Sequence, residues 1–219
     1  MEFNVAQGSD EWYALRIGSI GASNIAEATS KGRGNAISAG RRNIIARMVA
    51  ERMTGTYADT SGGFKSLAMQ RGTEMEAQAR SAYEFIKDCK VRECGLFTHP
   101  TIEGTHASPD GVVVENGDDV GLIEIKCMMP ANHLDVLMKR EVPSQYRKQV
   151  QYQLECAEAE WSDFVCFNPS FPSGADLVVI RVHRDEDLIA SLVDDIIQIN
   201  TEVSETIRSL KNEHNLELV

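Results

Sequence analysis

The sequence predicts an α/β domain, with a mixed central β-sheet flanked by helices and one long helix at the C-terminal end. Three observations lead there. Apolar residues recur at helical spacing over 41–53 and 66–88 before the strand-like runs begin. Short runs rich in β-branched and aromatic residues follow, interrupted by a further helical stretch, which is the order of a sheet covered by helices. Finally, Leu188, Leu192, Ile196, Ile199, Val203, Ile207 and Leu210 step by threes and fours, as one amphipathic helix requires.

Taken in chain order, Trp12 reads as a packing residue ahead of a short helix containing Leu15 and Ile17. The turn GSIGAS comes next, and Ser23 is placed to N-cap a helix opening at Asn24. Residues 31–40, KGRGNAISAG, read as a mobile loop. From Arg41 to Met53, the stripe Ile44, Ile45, Met48, Val49 and Met53 lies opposite a basic face, and Gly55 stops the helix. The helix over 66–88 turns Met75, Ala79, Ala82, Tyr83 and Ile86 inward, with Glu76 beside them. Strands are expected over 94–98, 112–115, 122–127, 164–168 and 177–182, with turn residues at 116–119. A helix over about 144–159 separates the third strand from the fourth.

A chain of 219 residues is short for two domains. The expectation is one domain over 1–219, a core of 1–184 and an acidic helical extension of 185–219. Composition is ordinary for a globular protein, 42% hydrophobic and 25% charged. No apolar run approaches the about 18 residues of a membrane span, so no membrane partner is expected. The first residues lack a basic leader and an apolar segment, which points to the cytoplasm. Five cysteines without a CxxC pair read as reduced, mostly buried thiols rather than a zinc or iron–sulfur site.

The net charge of −11 argues against binding an acidic polymer until its distribution is considered. From Asp185 onward nine acidic residues face only Arg208 and Lys211. Residues 1–52 carry +2, and Lys139, Arg140, Arg147 and Lys148 form a second basic cluster. A local basic channel is therefore compatible with the total.

Chemistry concentrates in Ser108-Pro109-Asp110-Gly111 and Glu124-Ile125-Lys126. Alternation along a strand puts Leu122, Glu124 and Lys126 on one face and Ile123, Ile125 and Cys127 on the other. If 112–115 and 122–127 form a hairpin, Asp110 comes to lie beside Glu124. Two close carboxylates call for a cation, and oxygen ligands suit Mg²⁺, with Mn²⁺ as a substitute. The Ile125 carbonyl is a further candidate metal ligand. Such a site, with Lys126 to orient or deprotonate water or to stabilise developing charge, fits phosphodiester hydrolysis. The same pattern also occurs on ordinary surface hairpins.

Four motifs extend the pattern: Trp12-x3-Arg16-x-Gly18-x3-Ala22-Ser23, Arg71-Gly72-x3-Glu76-x3-Arg80, Ser108-Pro109-Asp110-Gly111 with Glu124-Ile125-Lys126-Cys127, and Tyr146-x2-Gln149-Val150-Gln151-Tyr152. In this order they resemble the phage-type alkaline exonucleases of the YqaJ-like viral recombinase family, which have a PD-(D/E)XK nuclease core. The resemblance implies that Asp110, Glu124 and the Ile125 carbonyl hold metal, that Lys126 assists the attacking water and that Glu76 is an accessory acid. Arg16, Ser23, Ser108 and Gln149 match a pocket for a terminal 5′-phosphate, and Tyr146 falls in the same substrate-binding motif. The activity implied is magnesium-dependent 5′-to-3′ digestion of one strand of duplex DNA from 5′-phosphorylated ends, leaving 3′ overhangs. A homotrimeric ring around DNA and a single-strand annealing partner are implied with it. Other readings stay open at this point: an endonuclease or RecB-like nuclease of the same fold, or a non-catalytic scaffold binding DNA ends. Ser23 also fits a plain helix cap, Glu76 a solvated helix residue, and Gln149 and Gln153 donors to buried polar groups.

Overall fold

In this computed structural model residues 1–58 and 67–215 are described. Among them are two sheets. The larger contains β3 (Lys90–Arg92), β6 (Gly111–Glu115), β7 (Asp118–Cys127), β8 (Trp161–Phe167) and β9 (Leu177–His183), in the order β3-β6-β7-β8-β9. It is mixed: β7 and β8 run parallel and the other neighbours antiparallel. The smaller sheet has the order β1-β4-β5-β2, from β1 (Glu2–Phe3), β2 (Ile20–Gly21), β4 (Leu96–Thr98) and β5 (Thr105–Ala107). The strand expected over 94–98 is thus shorter and belongs to this second sheet.

The hairpin between β6 and β7 turns at Asn116 and Gly117, both at positive φ (54° and 94°). That combination matches the right-handed twist of the flanking strands, and Asn-Gly tolerates it best. Beyond the turn the register shifts between Val113 and Val114, which face Gly121 and Asp119, leaving Val120 as the extra residue of a β-bulge. Past the bulge, Gly111 pairs with Ile123, so Asp110 arrives at the edge of β7 opposite its chemical partners.

Helices cover both faces. The helix α4 (Leu67–Lys87) lays Ala79 and Tyr83 on Ile123, Ile125, Val165 and Phe167. Its expected inner residue Ile86 is instead 58% exposed. Residue 66, the expected start, lies outside the described residues. The opposite side holds the main core, where Leu122 and Ala107 meet residues of α2 (Ile25–Ala28), α3 (Ala39–Thr54), α6 (Ser144–Ala157) and α7 (Glu186–His214). A third cluster joins α5 (Pro130–Lys139), absent from the sequence expectation, to Phe164, Cys166 and Val178.

Other local expectations shift. The first helix, α1 (Asp10–Ala14), starts before Trp12, because the Ser9 side chain caps it by accepting from the Trp12 N–H. Ser23 is no side-chain cap; it sits within a 3₁₀ turn, Ala22–Asn24, and is exposed. Residues 31–40 are pinched by a bridge between Lys31 and Ile37, and Ser38 caps α3. The five cysteines are free thiols, with Cys94, Cys156 and Cys166 buried. No described helix is long and apolar enough to cross a membrane.

Helix α7 buries Leu192, Ile196, Ile199 and Val203 in the main core. Replacing Ile196, which is fully buried, by Ala should therefore destabilise the whole fold by about 2–5 kcal/mol. Urea unfolding should show a lower midpoint with an unchanged slope.

Candidate active site

Strand alternation on β7 puts Glu124 on the side facing α6, and burial there is nearly complete, 1% exposed. A buried carboxylate must be satisfied by donors. Lys126, two residues on and so on the same face, donates to Oε1. From α6, Gln149 donates to the same oxygen and Gln153 donates to Oε2, each at 2.6 Å. The two glutamines are one helical turn apart and so share a face of α6. Lys126 also lies 5.3 Å from the centre of the Tyr146 ring, which packs on Phe164 of β8.

Asp110 enters from the other strand. Its backbone N–H donates to Ile123 and its Oδ2 accepts from the Ile125 N–H at 2.6 Å. Backbone N–H and C=O of one strand residue point to the same edge, so the Ile125 carbonyl is directed to the edge where Asp110 lies. Burial, the Glu124 charge and Glu76 push the Asp110 carboxyl well above the usual range, against the opposing pull of Lys126. Burial works against the Lys126 charge too, but Glu124 and Asp110 outweigh it and hold the ammonium above its ordinary value.

Glu76, on α4, is raised by burial and by Glu124 while Arg80 opposes the shift. Arg80 holds it at 2.9 Å and also donates to the Asp110 carbonyl, tying α4 to the start of β6. Glu76 and Asp110 open onto a cleft of about 580 Å³ bordered by Trp12, Tyr13 and Gln7. The side chains of Arg71 and Gly72 lie outside the described residues.

The residues expected to hold a terminal phosphate divide in two. Arg16 and Ser23 line a polar cavity of about 200 Å³ together with Ser19, Arg47, Tyr57 and His106. Burial lowers the Arg16 pKa, opposed by Tyr57. Ser108 accepts from the Trp12 indole at 3.1 Å, and the Arg16 guanidinium stacks on that same indole at 3.8 Å. Gln149, by contrast, is engaged with Glu124. Sequence reasoning missed Arg47 and His106. Arg47 was visible only as part of a basic helix face, and His106 becomes relevant only through the pairing of β2 with β5.

Among the described residues no three His, Cys, Asp or Glu side chains form a metal-holding group. Asp110, Glu124 and the Ile125 carbonyl could hold a metal, with water completing its shell. The donor set fits Mg²⁺ or Mn²⁺: oxygen ligands throughout, and two mutually repelling acids whose charge a divalent ion would offset.

A carboxylate pair and a lysine at the end of a hairpin in a mixed sheet define a nuclease-type α/β protein. More particularly, the chain belongs to the YqaJ-like viral recombinase domain family, which it matches over residues 11–160. It is similar to an alkaline exonuclease from Laribacter hongkongensis: 35% identity, TM-score 0.84, with 94% of this chain and 98% of that chain covered. A second structure of that protein, in complex with dAMP, matches equally well. A phage-related exonuclease from Haemophilus somnus shares the fold, with 14% identity, a TM-score of 0.65, and 88% of this chain and 96% of that chain covered. Comparison with curated proteins gave no match.

Two variants probe the site. Below the ordinary carboxylate range the Asp110 repulsion is absent from folded and unfolded chains alike, and it grows as pH rises toward the raised value. Asp110→Asn should therefore stabilise the metal-free protein by about 0.5–2 kcal/mol at neutral pH, and less in acid; thermal unfolding across pH checks this. Gln153→Leu removes the donor to Oε2 from a buried carboxylate and should cost about 1–3 kcal/mol in denaturant unfolding.

Proposed function

We propose that this protein is a Mg²⁺-dependent exonuclease that digests one strand of linear duplex DNA from a 5′-phosphorylated end and leaves a 3′ overhang. The observation that carries the reading is the convergence of Asp110, Glu124 and Lys126 at one edge of β7, within a family that includes alkaline exonucleases. A divalent ion on Asp110, Glu124 and the Ile125 carbonyl would polarise the phosphoryl group and ease deprotonation of water. The chain's own groups do the rest. Lys126, an ammonium, donates to a water or phosphoryl oxygen and balances charge as the phosphorus is attacked. Gln149 and Gln153 hold Glu124 so that its free lone pair keeps one direction. Glu76 is an accessory acid at the cleft, and Tyr146 walls the lysine side.

In the reaction the water oxygen bonds to phosphorus and the bond from phosphorus to O3′ breaks. The terminal nucleotide leaves as a 5′-mononucleotide with a 3′-hydroxyl, and the shortened strand again ends in a 5′-phosphate. The Laribacter protein's complex with dAMP is in keeping with such a product. The terminal phosphate is assigned to the cavity of Arg16 and Ser23, with Ser108 and Gln149 as further donors of the same motif set. Arginine with hydroxyl donors is suited to phosphate. One domain carries the activity, a core of 1–184 with an acidic helical extension of 185–219. By family resemblance it works as a homotrimeric ring on DNA, alongside a single-strand annealing protein.

A blunt duplex, 5′-phosphorylated and 3′-labelled, should be degraded with Mg²⁺ while a supercoiled circle stays intact. Asp110→Ala or Lys126→Ala should slow digestion by about 10²-fold or more. Undiminished activity in either variant defeats the mechanism, and cutting of the circle points to an endonuclease.

A further inference from the structure

The small polar cavity beside the carboxylate site has one wall that neither composition nor motif accounts for. His106, on β5, is 2% exposed. Its Nδ1 lies 2.7 Å from the Ser19 hydroxyl, while its Nε2 is buried and has no hydrogen-bond partner among the described residues. Arg16 lines the same cavity, and its Nε is likewise buried and unpartnered. Buried polar atoms left unpaired are uncommon and costly. Two of them on one cavity mark a place built for an occupant.

The charges around the cavity identify that occupant's sign. Arg47 donates to Glu51 and to the Ser19 carbonyl, so its charge has a buried partner. Arg16 stacks on an indole, and no carboxylate pairs with it among the described residues. The cavity therefore suits an anion. With two guanidiniums already present, a third cation would be repelled. Burial, with Arg16 and Arg47, pushes the His106 pKa down to about 3, so the imidazole is neutral. The Ser19 hydroxyl can donate to Nδ1 or accept from it; in the tautomer where it donates, Nε2 carries the proton and offers a donor toward the cavity. Gly21 keeps the approach open, since a Cβ there would sit 2.8 Å from Nε2.

We propose that His106 is a specificity-determining residue of the terminal-phosphate pocket, its Nε2–H donating to a phosphate oxygen that Arg16 also holds. This rests on the reading of that cavity as the 5′-phosphate site. It adds a neutral donor, with Ser19 donating to the other ring nitrogen, to the arginine and serine of the motif.

The test compares kcat/KM on 5′-phosphorylated and 5′-hydroxyl duplex ends for the wild type, Arg16→Ala, His106→Gln and His106→Asn. A glutamine amide nitrogen reaches roughly where Nε2 stands, whereas an asparagine amide nitrogen stops near Nδ1. His106→Asn should lose about 10- to 100-fold of the preference for phosphorylated ends, and His106→Gln should keep most of it. A merely structural histidine would move both variants alike, and equal loss or equal retention overturns the proposal. Absence of any phosphate preference in the wild type overturns the pocket reading itself. Preference lost in Arg16→Ala but kept in His106→Asn leaves the pocket standing and removes His106 from it. Should the variants fold poorly, ¹⁵N histidine spectra of the wild-type protein decide: the His106 Nε2 signal should shift with a 5′-phosphorylated duplex and not with its 5′-hydroxyl counterpart. An unmoved signal sinks the proposal.

Discussion

The structure depends on the burial of Glu124. An ionised carboxylate taken out of water costs several kcal/mol unless charge and hydrogen bonds replace its hydration. Here one ammonium and two amides do so, and they come from two elements, β7 and α6. That requirement fixes how α6 lies on the sheet, since Gln149 and Gln153 reach the carboxylate only from the helix face that also buries Val150 and Leu154. It also leaves Asp110 as the less compensated acid, its carboxylate accepting, among the described residues, from the Ile125 N–H alone. Stability is given up at one carboxyl group, where a cation would recover it.

The sequence made the centre of this arrangement legible, because the signals there are local. Alternation places Leu122, Glu124 and Lys126 on one face of β7, and the structure puts Ile123 and Ile125 against α4 on the other. The Asn116-Gly117 turn sets the hairpin, and the hairpin sets Asp110. What escaped notice depends on distant pairing. The strands β1 and β2 have two residues each, and their partners lie far along the chain: Glu2 faces Phe97 and Ile20 faces Thr105. No periodicity can be read from two residues. Helix α5 was obscured for another reason, since Leu134 and Met138 are exposed while His133 is buried, which inverts the usual pattern. Ser23 shows a local rule giving way: the chain needs a 3₁₀ turn there, and the hydroxyl faces the cavity instead of a backbone N–H.

Charge was legible as a total and misleading as a field. The acidic helix α7 packs directly on the basic face of α3, with Arg41 at 2.5 Å from Glu202 and 3.7 Å from Asp195. Arg52 donates to Asn200 of the same helix. Much of the positive charge counted over 1–52 is thus held in the fold rather than offered to a polymer. Arg47, closer to the site, is answered by Glu51, which also receives the Gly18 and Ala58 N–H groups. Arg16 lines the polar cavity with no ion pair among the described residues, so the field at that wall differs from the sum over the chain.

The two halves of the site are coupled through Trp12. Its ring carries the Arg16 guanidinium and its indole N–H holds Ser108, two residues before Asp110. The intervening Pro109 carbonyl is itself held by Gln7 and Cys94. From Arg16 to Asp110 the path is therefore short and partly buried, one cation–π stack followed by one hydrogen bond and two peptide links. On the proposed reading, the spacing between the polar cavity and the carboxylate pair would act as a ruler. An enzyme that removes one unit at a time from a strand needs such a ruler more than it needs affinity, because a fixed distance from the end decides which phosphodiester meets the carboxylates.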